Sequence, residues 1–387
     1  MTAVHLYGRA FLDGAIEPDV LVTIQGGVLK IEQTAHPPVQ SQRIAGIMAP
    51  GFIDLHVHGG DGADFMDADA SATERILRFH ARHGTTALAA TTLSASPQDL
   101  HAAVASIASV ARSARAPTAG AEICAIHLEG PYISRERAGA QDPASIRRPD
   151  LQEVEALLAL APRMKWLMTV APEIEGVRGL IERYRDRITF SIGHTAAGYA
   201  EAVAALAWGA SHFTHLFNAM SGLHHRDPGV AGAALTSASA TAELIADGVH
   251  VHPAVLRLAA QAMPHRIALI TDAMRACGLA DGIYKLYHHD VTVGEGAARL
   301  GDGTLAGSVL TLERAVQTMV EQAGLPLTAV LPLATEVPAR ILGIADRKGK
   351  LAEGYDADIV VLAEKLAVER VFVRGREERG GSTPPHR

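Results

Sequence analysis

The chain has 387 residues, 48% of them hydrophobic and 20% charged, with a formal net charge of −7. This is enough apolar material to bury a large core, which excludes a disordered protein. The acidic balance, with no run of Lys and Arg, argues against nucleic acid or an anionic membrane as a partner.

Aromatics make up only 4%, so Ala, Leu, Val and Ile must fill the core, as in helices packed closely around a parallel sheet. In chain order, Val4 to Gly8 and Val20 to Ile24 are β-rich, with a tight turn at Gln25 to Val28. Asp358 to Leu362 and Val368 to Val373 have the same character. The reading is one small sheet domain built from both termini, residues 1–48 and 345–387, with a disordered tail from Gly380 to Pro385.

Between them the pattern alternates. Strands are expected at 52–58, 86–91, 122–129, 166–171, 188–193, 211–215, 243–247 and 266–272. Helices are expected at 70–83, 97–112, 150–161, 174–185, 196–208 and 253–263. The return after 215 reads as a loop with a short helix, residues 283–303 as an inserted β-hairpin, and 308–323 as the last helix. Eight strands with mostly helical returns predict an α/β fold, a (β/α)8 TIM-type barrel over residues 49–344. Cys124 and Cys277 are too far apart for a disulfide framework or zinc-knuckle spacing and fit a reducing, cytoplasmic setting. Met1 to Phe11 lacks the pattern of a signal peptide, and no apolar stretch approaches the ~20 residues of a membrane span.

The chemistry gathers at strand ends. Phe52 to Val57 runs into His58-Gly59-Gly60, and the period of two puts His56 and His58 on one face. The third strand ends in Glu129, the fifth in His194, the sixth in His215 and the eighth in Asp272. In a barrel these ends converge on one face. Imidazoles and carboxylates around one point, with an open position, make a catalytic zinc-type site rather than a closed structural one.

Six ordered motifs then carry a resemblance: Pro-Gly-Phe-Ile-Asp-Leu-His-Val-His, Leu-Glu-Gly-Pro-Tyr, Gly-His-Thr, Thr-His-Leu-Phe-Asn-Ala-Met, Ala-Asp-Gly-Val-His and Leu-Ile-Thr-Asp-Ala-Met. Over nearly its whole length the chain resembles the N-acetylglucosamine-6-phosphate deacetylases of the amidohydrolase superfamily. The resemblance implies a metal-dependent barrel with a flanking β-sandwich built from both termini, often homodimeric, that releases acetate from an N-acetyl amino-sugar phosphate. It implies Glu129, His194 and His215 as the main ligands of a divalent metal, zinc first, with iron, cobalt and manganese as alternatives. His56 and His58 match the pair that holds a second metal in some members, and Asp272 the catalytic acid/base. Asn218, Ala219, Arg226, His250, Leu305, Ala306 and Gly307 match sugar-phosphate contacts.

One departure is Gln141, in Gly139-Ala140-Gln141, where the family usually carries His. A Gln amide also donates, so Gln141 is expected to polarise the acyl carbonyl. The expected substrate is N-acetylglucosamine 6-phosphate, with N-acetylgalactosamine 6-phosphate or another N-acyl amino sugar as the alternative, and a non-catalytic sugar-phosphate binder as the rival of another class. Dihydroorotase-like or hydantoinase-like amidases typically bridge two metals with a carboxylated Lys at the end of strand four. Here Lys165 lies at the wrong end of that strand.

Overall fold

The structure is a computed structural model and describes residues 3–113 and 119–379. The segment read as a disordered tail, Gly380 to Pro385, lies outside the described residues.

Eight parallel strands form one sheet: Phe52–Val57, Thr85–Thr92, Glu122–Glu129, Lys165–Val170, Thr189–Ile192, His212–Phe213, Thr241–Ile245 and Ile267–Ile270. The sheet order follows the chain order. The eighth strand returns to the first through a parallel bridge between Val57 and Ala273. The amides of His58 and Gly59 both donate to the Ala273 carbonyl at 2.9 Å. The buried Asp54 carboxylate reinforces this seam by accepting from the Thr271 hydroxyl at 2.6 Å. The barrel predicted from the alternation is therefore present, and closure of the sheet brings the first and eighth strand ends together.

The sixth strand is shorter than the expected 211–215 because the chain turns at its end: His215 has φ 28. Helices run outside the barrel. Ala70–Arg82 is typical: Asp69 caps it by accepting from the Ala72 amide at 2.9 Å, and Ile76, Leu77 and Phe79 face the core. The short helix of the sixth return is Gly229–Thr236. Two further helices, Leu327–Ala334 and Glu336–Ile341, contain Pro332 and Pro338, residues that hide a helical pattern in sequence. The expected hairpin is a three-stranded sheet, Gly282–Leu286, His289–Gly294 and Ala297–Arg299. Its apolar side packs on Leu93 and Met274, beside the barrel mouth.

Both termini contribute to a seven-stranded sheet, in the order Arg376–Arg379, Val368–Val373, Ile359–Leu362, Gln42–Pro50, Val4–Leu12, Ala15–Gln25 and Val28–Gln33. Its pairing is continuous, and Leu6, Val22, Met48, Val361 and Phe372 share an apolar cluster separate from the barrel core. The buried Lys348 joins this layer to the barrel. Its ammonium lies 3.0 Å from Glu122, at the start of the third barrel strand, and 2.9 Å from Asp356, and it also pairs with Asp358. No described helix is long and apolar enough to cross a membrane.

Candidate metal centre

The first, third, fifth, sixth and eighth barrel strands deliver His56 and His58, Glu129, His194, His215 and Asp272 to one buried cluster at their C-terminal ends. His56 and His58 share a face because they are two residues apart on extended chain. His194, His215 and Asp272 are delivered differently. Each takes a positive φ, 47, 28 and 49 respectively, and so leaves its strand in a sharp turn. Backbone of this kind is uncommon for non-glycine residues and concentrates at functional sites.

Glu129 stands at the centre. Its Oε1 lies 3.0 Å from His194 Nε2 and 3.1 Å from His215 Nε2. Its Oε2 lies 3.2 Å from His58 Nε2, and His56 Nε2 is 3.4 Å from Oε1. His58 Nε2 is also 3.2 Å from Asp272 Oδ1, and the two imidazole nitrogens of His56 and His58 approach to 3.2 Å. The donors form two groups whose ligand atoms all lie within 4.8 Å of one another: Glu129, His194 and His215 in one, and His56, His58 and Asp272 in the other.

Burial should drive the imidazoles of His56, His58 and His194 to their neutral forms, yet the carboxylates outweigh it. Burial pushes His58 down, while Asp272 and Glu129 together hold it up at about 9. Burial likewise opposes the charged form of Glu129, but His56 and His194 hold its carboxyl well below the usual carboxylate range. Imidazole Nε2 atoms converging on shared carboxylates fit a divalent cation, which supplies the positive charge that protons otherwise provide. His194 is further oriented by its Nδ1, 2.8 Å from the Arg137 carbonyl. Glu173 fixes the same loop, accepting from the Ala196 amide at 2.7 Å and from the Thr195 hydroxyl at 2.5 Å.

The cluster lies at the base of a cavity of about 500 Å³, a volume suited to a small molecule. His58, Glu129, His194, His215 and Asp272 line it, and His56 lies buried beneath. Asn218, Ala219, His250, Leu305 and Gly307 are on its walls. His250 is set by Asp247, which accepts from its Nδ1 at 2.7 Å and leaves Nε2 available.

Two of the residues expected at the substrate do not line the cavity. Ala306 is buried in the apolar cluster of the inserted sheet rather than lining the cavity, because side chains alternate along extended chain. Arg226 is on an exposed loop, with its guanidinium 2.7 Å from His225 Nε2, and is not part of the lining. The arginines that do line the cavity are Arg137 and Arg299.

Gln141 lines the cavity, but its amide is engaged. Its carbonyl accepts from the Ser94 amide at 2.6 Å and its nitrogen donates to Glu129. One N–H remains for a ligand. Gly139 permits this loop to close over His194: a Cβ there would lie 3.3 Å from the imidazole, at a φ of 58. Lys165 stands exposed at the start of the fourth strand, remote from the catalytic rim.

Glu243 and Asp247 were not singled out from sequence. Glu243 sits inside the seventh strand with no spacing to mark it, whereas Asp247 lies in the quoted Ala-Asp-Gly-Val-His motif and was within reach. Cys277 is buried, bonded to the Leu310 carbonyl and pushed by burial far above the ordinary thiol range, so it is no nucleophile.

A parallel eight-stranded barrel with this donor set at its C-terminal rim defines the metal-dependent hydrolase class of barrel protein. Residues 47–377 match the amidohydrolase family. The chain is 40% identical over 331 residues to N-acetylglucosamine-6-phosphate deacetylase from Bacillus subtilis, covering 85% of this chain and 84% of that one. It is 36% identical over 365 residues to N-acetylgalactosamine-6-phosphate deacetylase from Escherichia coli O157:H7, covering 94% and 96%. A mutant N-acetyl-D-glucosamine-6-phosphate deacetylase from Mycobacterium smegmatis, solved with N-acetyl-D-glucosamine-6-phosphate, superposes with a TM-score of 0.91 at 36% identity, covering 98% and 100%. The chain belongs to the N-acetylglucosamine-6-phosphate deacetylase family of the amidohydrolases.

Proposed function

We propose that the protein hydrolyses the acetamide of N-acetyl-D-glucosamine 6-phosphate, giving acetate and the free amine. The observation that carries this reading is the Glu129 carboxylate between the two histidine pairs, with Asp272 Oδ1 3.2 Å from His58 Nε2, at the base of a small-molecule cavity. Glu129, His194 and His215 would hold one divalent cation, with zinc proposed, and His56, His58 and Asp272 a second. When bound, such an ion polarises the acyl oxygen and lowers the pKa of water from 15.7 to roughly 7.

Asp272 accepts the proton of the attacking water as its oxygen bonds to the acyl carbon. It then returns that proton to the nitrogen as the C–N bond breaks, because an unprotonated amine is a poor leaving group. The free N–H of Gln141 donates to the acyl oxygen, while its other donor keeps Glu129 in place. His250, Asn218, Ala219, Leu305 and Gly307 position the sugar. Arg226, whose guanidinium fork matches phosphate geometry, is the proposed phosphate contact, so Arg226→Ala should raise KM strongly for the phosphorylated sugar and little for the unphosphorylated one. Equal effects on both would remove that role.

The Escherichia coli relative, named for the galactosamine substrate, matches along 94% of this chain. That makes N-acetylgalactosamine 6-phosphate the second reading. Acetate release from both phosphorylated sugars is the test, on metal-replete and chelator-treated protein. Release that chelation abolishes is expected, faster with the glucosamine form; no release from either sugar refutes the reading. A cytoplasmic homodimer is the proposed working state, and light scattering checks the assembly.

A further inference from the structure

We propose that Glu243 is the positioning carboxylate of the second cation site, holding His56 with its proton on Nδ1 so that Nε2 faces His58 and Asp272. The inference rests on the metal-centre reading above and concerns a residue that no motif marked.

Glu243 lies wholly buried in the seventh barrel strand. Its Oε2 is 3.0 Å from His56 Nδ1 and accepts from the His215 amide at 3.1 Å, and its Oε1 is 3.3 Å from His212 Nε2. A carboxylate held by these contacts is an acceptor only. With a cation in place of the second proton, the His56 proton sits on Nδ1, which leaves the Nε2 lone pair aimed at the cluster. Nε2 is 3.2 Å from His58 Nε2 and 3.5 Å from Asp272 Oδ1.

Among the described residues, no Lys or Arg forms an ion pair with Glu243; its partners are His56 and His212. A buried carboxylate without a nearby cation is strongly disfavoured, because its lost hydration is not repaid. A divalent ion on the far side of the His56 ring offsets that charge, and the carboxylate in turn makes the imidazole a better ligand.

Glu243 is not itself a ligand. One of its oxygens, with a ring nitrogen each from His56 and His127, forms a third cluster of ligand atoms within 4.8 Å. In that cluster His127 Nδ1 is 3.2 Å from the Leu55 carbonyl and Nε2 is 2.8 Å from the Thr169 hydroxyl, so neither nitrogen is free. The two cation groups are then built alike. His194 is held from outside by the Arg137 carbonyl and His56 by Glu243, whereas Nδ1 of His58 and of His215 has no hydrogen-bond partner among the described residues.

The test loads the full chain with Zn²⁺ and measures bound metal by elemental analysis and competition with a chromophoric chelator, alongside wild-type acetate release. Wild type is expected to hold two equivalents. Glu243→Gln should keep the first and bind the second roughly 10- to 100-fold more weakly, and His56→Gln should lose the second in the same way. A folded Glu243→Gln that binds both ions as wild type does, or a wild type that takes up only one, overturns the proposal. Nitrogen-detected imidazole NMR of the Zn²⁺-loaded wild-type protein, with His56 assigned through His56→Gln, is expected to show the Nδ1–H tautomer, and the Nε2–H tautomer overturns the proposal without any Glu243 variant. Two bound ions without acetate release would refute the deacetylase reading and leave this inference standing.

Discussion

Asp272→Asn isolates the proton-transfer role from the architecture around it. Asn is nearly isosteric with Asp and is among the few residues that tolerate the positive φ of 49 found here. The backbone of position 272, whose amide donates to the His56 carbonyl at 2.8 Å and whose carbonyl accepts from the Ser308 amide at 2.7 Å, is untouched by the change. The fold should therefore hold. What is lost is the carboxylate oxygen 3.2 Å from His58 Nε2, the group assigned to shuttle the proton. A positioned general acid–base contributes 10²–10⁴ in rate, roughly 2.7–5.5 kcal/mol of barrier.

The assay is steady-state acetate release at matched metal content, with Tm recorded beside it. The expected result is a kcat lower by about 10²–10⁴ with KM changed by no more than about threefold, since the loss falls on the transition state. A variant that turns over at the parental speed with the same metal content would refute the assignment. A fall in rate that disappears once metal content is equalised would reassign Asp272 to ligation alone.

Gln141→Ala removes a donor from Glu129 and strands the Ser94 amide, so kcat/KM should fall roughly tenfold to a hundredfold; an unchanged kcat/KM on the phosphorylated substrate would dismiss its role. Lys348→Ala leaves the buried Asp358 without an ion-pair partner, while Arg347 still pairs with Glu122 and Asp356, and urea unfolding at pH 7 should show a loss of about 3–5 kcal/mol. A loss below about 1 kcal/mol, the range of exposed pairs, would mean that the network is solvated. Burial pushes His80 down to about 4 despite its hydrogen bond to the Gly59 carbonyl. The unfolded chain, with His near 6.5, takes up that proton first, so this stability is complete above pH 6.5 and lost as the pH falls towards 4, by about 3 kcal/mol. His80→Gln should flatten the decline in unfolding free energy between pH 6.5 and 4, and an unaltered slope counts against the assignment.

Periodicity carried the sequence a long way. Alternating apolar strands and helical returns dictated the barrel, because buried parallel strands and amphipathic helices have different periods. The two-residue spacing of His56 and His58, and the polar residues closing the other strands, marked the rim where these donors meet because a barrel gathers its C-terminal strand ends. Closure of the sheet decided what the linear order conceals. It set Glu129 between two histidine pairs, turned the Gln141 amide onto that carboxylate, left Arg226 on an exposed loop, and buried Glu243 behind His56. These are matters of distance between residues up to 187 positions apart, as for His56 and Glu243. No local pattern encodes them, since a carboxylate inside a strand looks the same whether it meets water or an imidazole.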